Sequence, residues 1–243
     1  MNDNLTFASN AKKRTVKNWL IRFILLFIGL FIAHFGVVLF VKANMGTDNF
    51  TILCQGIAGL SGLTIGTAQN ILMGAMMVVM LIFTRGYVKP GTIVCAFCGG
   101  WQIDLYMWLL GDSLSEASPM IIRIIAMVAG CFIIALGKAF CISSDAGAGP
   151  NDLFSLIISD KINKHKKVSF SLIRIICDVG LAFLGFALGG VLGVGTFVTM
   201  FLTGPILQKF LPPFRRFTNV FIAKLEGKSV EEIAKTAEQE RDM

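Results

Sequence analysis

The sequence has few charged residues. Asp, Glu, Lys and Arg make up only 15% of the 243 residues, whereas a soluble domain carries about 25%. Hydrophobic residues make up 55%, and the mean hydropathy is +0.73. This composition excludes an ordinary soluble domain and indicates a membrane protein.

The sequence also lacks the motifs of common enzymes. It has two histidines and contains no HExxH pair, no GxSxG elbow and no Walker loop. Six cysteines are scattered mostly through apolar stretches, and the CxxC pair Cys95 and Cys98 has no second pair to complete a metal site. We therefore expect no enzyme, no metal, no cofactor and no disulfide framework.

The positive charge is distributed between the apolar runs. The net charge is +7, but Lys and Arg do not gather on one amphipathic face, so nucleic acid is not the expected partner. The anionic inner leaflet of a lipid bilayer is a better match.

Six apolar runs reach the roughly 20 residues that cross about 30 Å of hydrocarbon. The first continues from about Trp19 to Val41, which is too long for the core of a signal peptide and indicates a retained span. The predicted spans are 19–42, 64–84, 91–110, 119–142, 168–189 and 193–211.

Lysine and arginine concentrate in alternate linkers. With the N-terminus inside, the basic segments 12–17, 85–89, 161–167 and 215–216 all lie inside, and the acidic loop Asp112–Glu116 lies outside. Because positively charged loops stay in the cytoplasm, the bias predicts an N-in, C-in orientation.

The second half of the chain repeats the first. In the early part of each half, an arginine and several glycines recur at an offset of 101 positions. In the later part the offset is 104, because the second half has gained three residues. Each half has three spans, so the second copy is inverted in the membrane, as in many secondary transporters. The equivalent pairs are Arg22 and Arg123, Gly29 and Gly130, Phe31 and Phe132, Gly36 and Gly137, Gly46 and Gly147, Gly91 and Gly195, Thr92 and Thr196, Phe97 and Phe201, and Gly100 and Gly204.

Two polar, glycine-containing stretches lie at equivalent places in the halves. The segment 44–53 reads NMGTDNFTIL and the segment 145–154 reads DAGAGPNDLF. Each continues into an apolar stretch, 50–60 or 153–159, that is too short to span the membrane. The pattern predicts a break followed by a short, broken or re-entrant helix whose N-terminus can bind an anion. Alternatively, Asp48, Asp145 and Asp152 can hold a cation or a proton. Helix capping by Asp or Asn, with Pro150 at the first helical position, explains the same residues.

The third span of each half is also predicted to be interrupted. Gly99-Gly100-Trp101 is equivalent to Thr203-Gly204-Pro205, and proline kinks a helix whereas glycine permits close approach. After Pro212-Pro213 the chain becomes polar, and Ser229 with Glu232 matches a capping box. We expect a cytoplasmic tail with a short helix at about 230–240.

Several ionisable side chains fall inside the spans, where charge is costly and often functional. Arg174 and Asp178 are four residues apart and can pair on one helix face. A structural ion pair and a substrate site are equally consistent with this spacing. Asp104 suits either an interface or a cavity, and His34 is typical of a hydrogen-bonded core residue.

These motifs resemble the YczE/YyaS/YitT family of bacterial inner-membrane proteins over about residues 20–211. The resemblance is carried by Gly46-Thr47-Asp48-Asn49-Phe50, Thr64-Ile65-Gly66-Thr67, Gly147-Ala148-Gly149-Pro150-Asn151-Asp152, Arg174 with Asp178, and the span starts at Gly91 and Gly195. It implies a membrane protein of a family often labelled as transporters.

The sequence therefore predicts an all-α, polytopic protein of the bacterial inner (plasma) membrane, with six transmembrane helices in two inverted three-helix repeats. The segments are a cytoplasmic N-terminus (1–18), the first repeat (19–112), the second repeat (113–212) and a cytoplasmic tail (213–243). The expected function is secondary transport of a small solute or ion by alternating access. A non-transporting membrane module, which binds a ligand or assists another complex, is the alternative, and homo-oligomerisation is compatible with either. The candidate binding residues are Gly46, Asp48, Asn49, Asn70, Asp104, Gly147, Gly149, Asn151, Asp152, Arg174 and Asp178.

Overall fold

A computed structural model describes residues 16–83, 89–147, 149–163, 168 and 170–225. Within these ranges the regular structure is entirely α-helical, in agreement with the predicted all-α class. The helices are α1 (Val16–Ala43), α2 (Asn49–Ser61), α3 (Ile65–Phe83), α4 (Pro90–Leu110), α5 (Met120–Ser144), α6 (Pro150–Asn163), α7 (Phe170–Ala187) and α8 (Val194–Leu225).

Five of these helices are long and apolar enough to cross a membrane: α1, α3, α4, α5 and α8. They coincide with five of the six predicted spans. The remaining predicted span, 168–189, coincides with α7, an 18-residue helix that carries Arg174 and Asp178. The described residues therefore establish a helical protein with five candidate spans.

The two short helices α2 and α6 follow irregular segments, as predicted. Asp48 caps α2 by accepting a hydrogen bond from the backbone N–H of Thr51. Pro150 is the first residue of α6, where its missing N–H costs nothing. Gly46, with φ +94, provides the turn that returns the chain after α1.

Helices α1 and α5 form the centre of the bundle and pack closely through glycines. A Cβ at Gly29 would lie 3.0 Å from the carbonyl oxygen of Gly137, and a Cβ at Gly36 would lie 2.8 Å from that of Gly130. The N-terminal half of α1 therefore lies beside the C-terminal half of α5, so the two helices are antiparallel. Since Gly29 is equivalent to Gly130 and Gly36 to Gly137, the two contacts are reciprocal between the halves.

The equivalent arginines also make reciprocal contacts. Arg22 on α1 donates to the carbonyl oxygen of Ser144 at 2.8 Å, at the end of α5. Arg123 on α5 donates to the carbonyl oxygens of Ala43 at 2.7 Å and Asn44 at 2.9 Å, at the end of α1. Each arginine thus satisfies carbonyls that have no partner within the opposite helix.

The irregular segments bind the opposite half in the same reciprocal way. The backbone N–H of Gly195, at the start of α8, donates to Met45 O at 2.7 Å. The backbone N–H of Gly91, at the start of α4, donates to Ala146 O at 3.2 Å. The two halves are therefore interlocked, because each break is held by the last helix of the other half.

The predicted interruptions of the third spans are wrong, because α4 runs continuously through Gly99–Trp101 and α8 through Thr203–Pro205. The helix α8 also continues past Pro212-Pro213 to Leu225, beyond the boundary predicted at 212/213. Ile222, after the prolines, is buried against Ile21 and Leu25 of α1, and this packing offsets the hydrogen bonds that the prolines remove. The helix predicted at 230–240 and residues 1–15 lie outside the described residues.

Candidate functional site

An ionic triad joins α6 to α7. Asp152 lies in the first turn of α6, and its Oδ1 accepts a hydrogen bond from Arg174 Nη2 at 2.9 Å. The Nε of Arg174 lies 3.8 Å from Oδ2 of Asp178, one turn further along α7. The predicted pairing of Arg174 with Asp178 is confirmed, although Asp152 is the closer partner. The three side chains are 42%, 38% and 35% exposed in the order Arg174, Asp152, Asp178, so the triad is only partly buried by the protein.

Two further charges act on the triad from other elements. Asp178 lies within electrostatic range of Lys138 on α5 and of Asp48, the capping residue of α2. Asp48 itself is engaged, since both of its carboxylate oxygens accept from the Thr51 hydroxyl. Of the two short helices, α6 contributes the carboxylate that belongs to the triad, Asp152, whereas Asp48 of α2 acts on Asp178 only weakly and at longer range.

The candidates Asn70 and Asp104 lie in a different place, the contact between α3 and α4. Asn70 Oδ1 accepts from the backbone N–H of Gly100 at 2.8 Å. Asp104 accepts from the Thr64 hydroxyl at 2.6 Å and from the backbone N–H of Gly66 at 3.0 Å. A Cβ at Gly66 or Gly100 would clash with the backbone carbonyl of the other glycine. These residues hold α3 against α4 and do not contact the triad.

His34 connects the same two helices to α1. Its Nδ1 lies 2.8 Å from Oε1 of Gln102 on α4, and its Nε2 lies 3.3 Å from Nε2 of Gln69 on α3. Since the amide oxygen only accepts, Nδ1 carries the proton, and Nε2 accepts from Gln69. The prediction of a hydrogen-bonded core histidine is confirmed.

The candidate glycines of the breaks permit close backbone packing. A Cβ at Gly46 would lie 2.7 Å from the Thr196 hydroxyl oxygen, and one at Gly147 would lie 2.6 Å from the backbone nitrogen of Thr92. These contacts explain why glycine stands at both positions, because any side chain would clash with the neighbouring segment. A ligand is not needed to account for them.

The remaining candidates of the breaks are Asn49, Gly149 and Asn151. Asn49 begins α2, and its buried Oδ1 has no hydrogen-bond partner among the described residues. A Cβ at Gly149 would lie 2.8 Å from Oδ1 of Asn151, so these two residues are neighbours at the start of α6. Of the eleven candidates, the structure brings Asp152, Arg174 and Asp178 into contact, with Asp48 in electrostatic range.

Two polar residues of the interior were missed in the sequence. Gln69 and Gln102 are 4% and 0% exposed. An amide within an apolar span is itself a signal, because a polar group in hydrocarbon needs a partner. Pairing each amide with the lone intramembrane histidine would have found the contact.

The two repeats differ in how their last two long helices pack. In the first repeat α3 packs along α4, whereas α7 and α8 share no comparable interface among the described residues. Gly204, the equivalent of Gly100, has no described atom near its side-chain position. Helix α7, with its triad, therefore does not pack along α8 as α3 packs along α4.

The fold defines a helical membrane protein whose two halves interlock, with an ionic triad between α6 and α7. The chain belongs to DUF6198, a family of unknown function, whose family model matches residues 20–212.

Three uncharacterised bacterial proteins are similar to this chain. YyaS of Bacillus subtilis is 26% identical over 78% of this chain and 92% of its own length. The membrane protein YczE of the same organism is 29% identical over 84% of this chain and 92% of its own length. A protein of Haemophilus influenzae is 28% identical over 81% of this chain and 86% of its own length. These relatives agree with the predicted YczE/YyaS resemblance. No solved structure matches the chain.

Proposed function

We propose that the chain is a secondary transporter of the bacterial inner membrane, with six spans in two inverted repeats and both termini in the cytoplasm. Helix α7 is the sixth span in this proposal, since its 18 residues extend about 27 Å. The reciprocal arginine and glycine contacts of α1 and α5 support the inverted duplication, because each contact recurs with the roles of the halves exchanged.

The observation that carries the proposal is the unequal packing of the two repeats. The contacts between α3 and α4 use the N-terminal half of α3 and the C-terminal half of α4, which lie toward the outer face in the proposed orientation. The equivalent parts of α7 and α8 lie toward the inner face and are separated. In the proposed cycle this arrangement is the state that faces the cytoplasm, with the outer side closed by the contact between α3 and α4.

In the outward-facing state of this proposal, the α3–α4 pair and the α7–α8 pair exchange their arrangements. Helix α7 then closes against α8, while α3 leaves α4. In the second repeat Phe170 stands in the place of Gly66, so the axes of α7 and α8 stay farther apart than those of α3 and α4. The transition requires the bonds of Asp104 and Asn70 across the outer contact to break.

Paired cysteines test the exchange in a background without the native cysteines. Thr64 and Asp104 touch in the described state, so Thr64→Cys with Asp104→Cys should form a disulfide when the protein faces inward. The equivalent pair, Val168→Cys with Gln208→Cys, should form one only in the outward-facing state. Each disulfide is expected to abolish solute uptake into proteoliposomes, and reduction should restore it.

A static module would behave differently. If Val168 and Gln208 never cross-link under conditions in which Thr64 and Asp104 do, and reduction changes no flux, alternating access is excluded. Affinity for a solute without directional flux would then support the alternative, a non-transporting binding module. Single-cysteine variants of the four positions control for the substitutions themselves.

The orientation has a separate test with an impermeant thiol reagent on intact cells. Leu60 at the end of α2 and Ile162 at the end of α6 are both exposed, and they lie in equivalent elements of the two halves. Leu60→Cys should react from outside, and Ile162→Cys should react only after the inner membrane is opened. Labelling of both positions from the same side would contradict the inverted arrangement.

A further inference from the structure

Helix α8 is longer than a membrane crossing requires. Its 32 residues extend about 48 Å, whereas about 20 residues cross the hydrocarbon core. Counted from Val194, the crossing is complete near Pro213. The segment 214–225, called the α8 extension below, therefore reaches the headgroup level of one membrane surface.

Contacts with α1 and α5 hold the α8 extension against the bundle. Ile222 is buried against Ile21 and Leu25 in the N-terminal part of α1. Phe214 packs against Phe140 near the end of α5, with ring centroids 5.0 Å apart. Since α1 begins and α5 ends on the same side of the bundle, these contacts keep the extension at the membrane boundary and prevent it from projecting into water.

The same packing determines which residues of the extension face outwards. Thr218 and Ile222 are buried and mark the face toward the bundle. On one flank of that face, Phe217 and Phe221 are 53% and 40% exposed, and their rings stack at a centroid distance of 5.9 Å. Phenylalanines on one side of a helix at this level are typical of a segment whose apolar face enters the boundary between headgroups and acyl chains.

The other flank of the extension is basic. Arg215 and Arg216 are exposed, and they lie about 120–140° around the helix axis from the midpoint of Phe217 and Phe221, at 3.6 residues per turn. Neither arginine forms an ion pair with a described residue, and α8 contains no aspartate or glutamate. The extension is therefore an amphipathic helix whose two arginines lack an acidic partner within the described protein.

We propose that the α8 extension binds anionic phospholipids at the membrane surface where α1 begins. Phe217 and Phe221 enter the acyl-chain boundary, and the guanidinium groups of Arg215 and Arg216 donate hydrogen bonds to lipid phosphates. Because the extension continues a candidate span, lipid headgroups lie beside it, and their negative charge complements the two arginines. The inference requires that α8 crosses a membrane and does not depend on transport.

Fluorescence quenching tests how the extension lies on the membrane. The full chain, in the background without native cysteines, carries an NBD fluorophore on Phe221→Cys or, as the control on the opposite flank, on Ala223→Cys. In lipid nanodiscs, lipids with a spin label in the acyl chain should quench the probe at position 221 several-fold more strongly than the probe at 223. Equal quenching would overturn the proposal, as would a disulfide between two copies through Phe221→Cys, which would assign this flank to a second copy of the chain.

The requirement for anionic lipid has a separate test, the Tm of the full chain in phosphatidylcholine nanodiscs with and without phosphatidylglycerol. Phosphatidylglycerol should raise the Tm of the native chain, and the double variant Arg215→Gln with Arg216→Gln should lose most of this rise while its Tm in phosphatidylcholine stays native. The matched control, Arg215→Lys with Arg216→Lys, keeps the charge and should keep most of the rise. An equal rise in the glutamine variant, or none in the native chain, would overturn the proposal and leave alternating access untouched.

Discussion

Replacement of Gly137 by leucine is expected to prevent normal packing of α1 against α5 and to cost about 3 kcal/mol of stability or more. A Cβ at this position already lies 2.7 Å from both Ala33 Cα and Gly29 O. The obstacles are backbone atoms, which cannot rotate away as a side chain can. Because α1 and α5 also position both breaks, the damage extends to α4 and α8. Thermal unfolding in detergent, followed by size-exclusion chromatography, measures the loss.

A glycine on an exposed helix surface is the matched control. Gly180 on α7 has no described atom within 4 Å of a Cβ built on it. Gly180→Leu introduces the same side chain into a helix and should change the stability by no more than about 0.5 kcal/mol. Equal Tm values for Gly137→Leu and the native chain would show that the α1–α5 contact is looser than the described glycine packing.

Much of the helical architecture follows from the sequence. Hydrophobic length alone placed α1, α3, α4 and α5 to within about three residues, and the turn chemistry of Asp48 and Pro150 placed the starts of α2 and α6. The end of α8 was missed because local rules treat Pro212-Pro213 as a stop. The contact of Ile222 with α1 that carries the helix further is between residues distant in sequence.

The sequence predicted the equivalent residues of the two halves but not the contacts between them. The recurrence of Gly29 as Gly130 and of Gly36 as Gly137 indicated a duplication, but periodicity does not say which copies touch. The structure pairs Gly29 with Gly137, and Gly36 with Gly130, because antiparallel helices meet with the sequence order reversed. Arg22, which the sequence marked only as the equivalent of Arg123, likewise makes a specific hydrogen bond to the end of α5.

The candidate site was predicted as one set of eleven residues, and the structure divides it. Polarity within a span identified Arg174 and Asp178, but the same criterion also selected Asn70 and Asp104, which hold α3 on α4. A sequence pattern records that a polar group needs a partner and not whether protein or ligand provides it. The distinction required the exposures and the contacts between helices.

That division gives the two sides of the bundle different chemistry. The contact of α1, α3 and α4 has neutral hydrogen bonds through His34, Gln69 and Gln102, whereas the equivalent positions 135, 173 and 206 are apolar. The contact of α6 and α7 has the ionic triad. In the proposed cycle, the neutral polar bonds stabilise closure of the outer side, and the triad is the place where a solute can bind.

Asp178→Asn and Asp152→Asn are therefore expected to lower uptake into proteoliposomes at least about tenfold, which corresponds to about 1.4 kcal/mol of lost ligand stabilisation. Each variant removes one carboxylate from the only described place where Arg174 meets acidic partners. Both should remain folded and membrane-inserted, because partly exposed ion pairs contribute little to stability.

Asp112→Asn removes the same charge from the exposed loop between α4 and α5 and should transport at the native rate. Native rates in both triad variants, with protein amounts and Tm values matched to the control, would show that the triad holds α6 on α7 and does not contact the substrate. Loss of uptake together with a large fall in Tm would instead assign the triad to assembly of the bundle. The combination of lost uptake and retained Tm is the outcome that a substrate site requires, because the ligand then contacts the carboxylates without their being needed for folding.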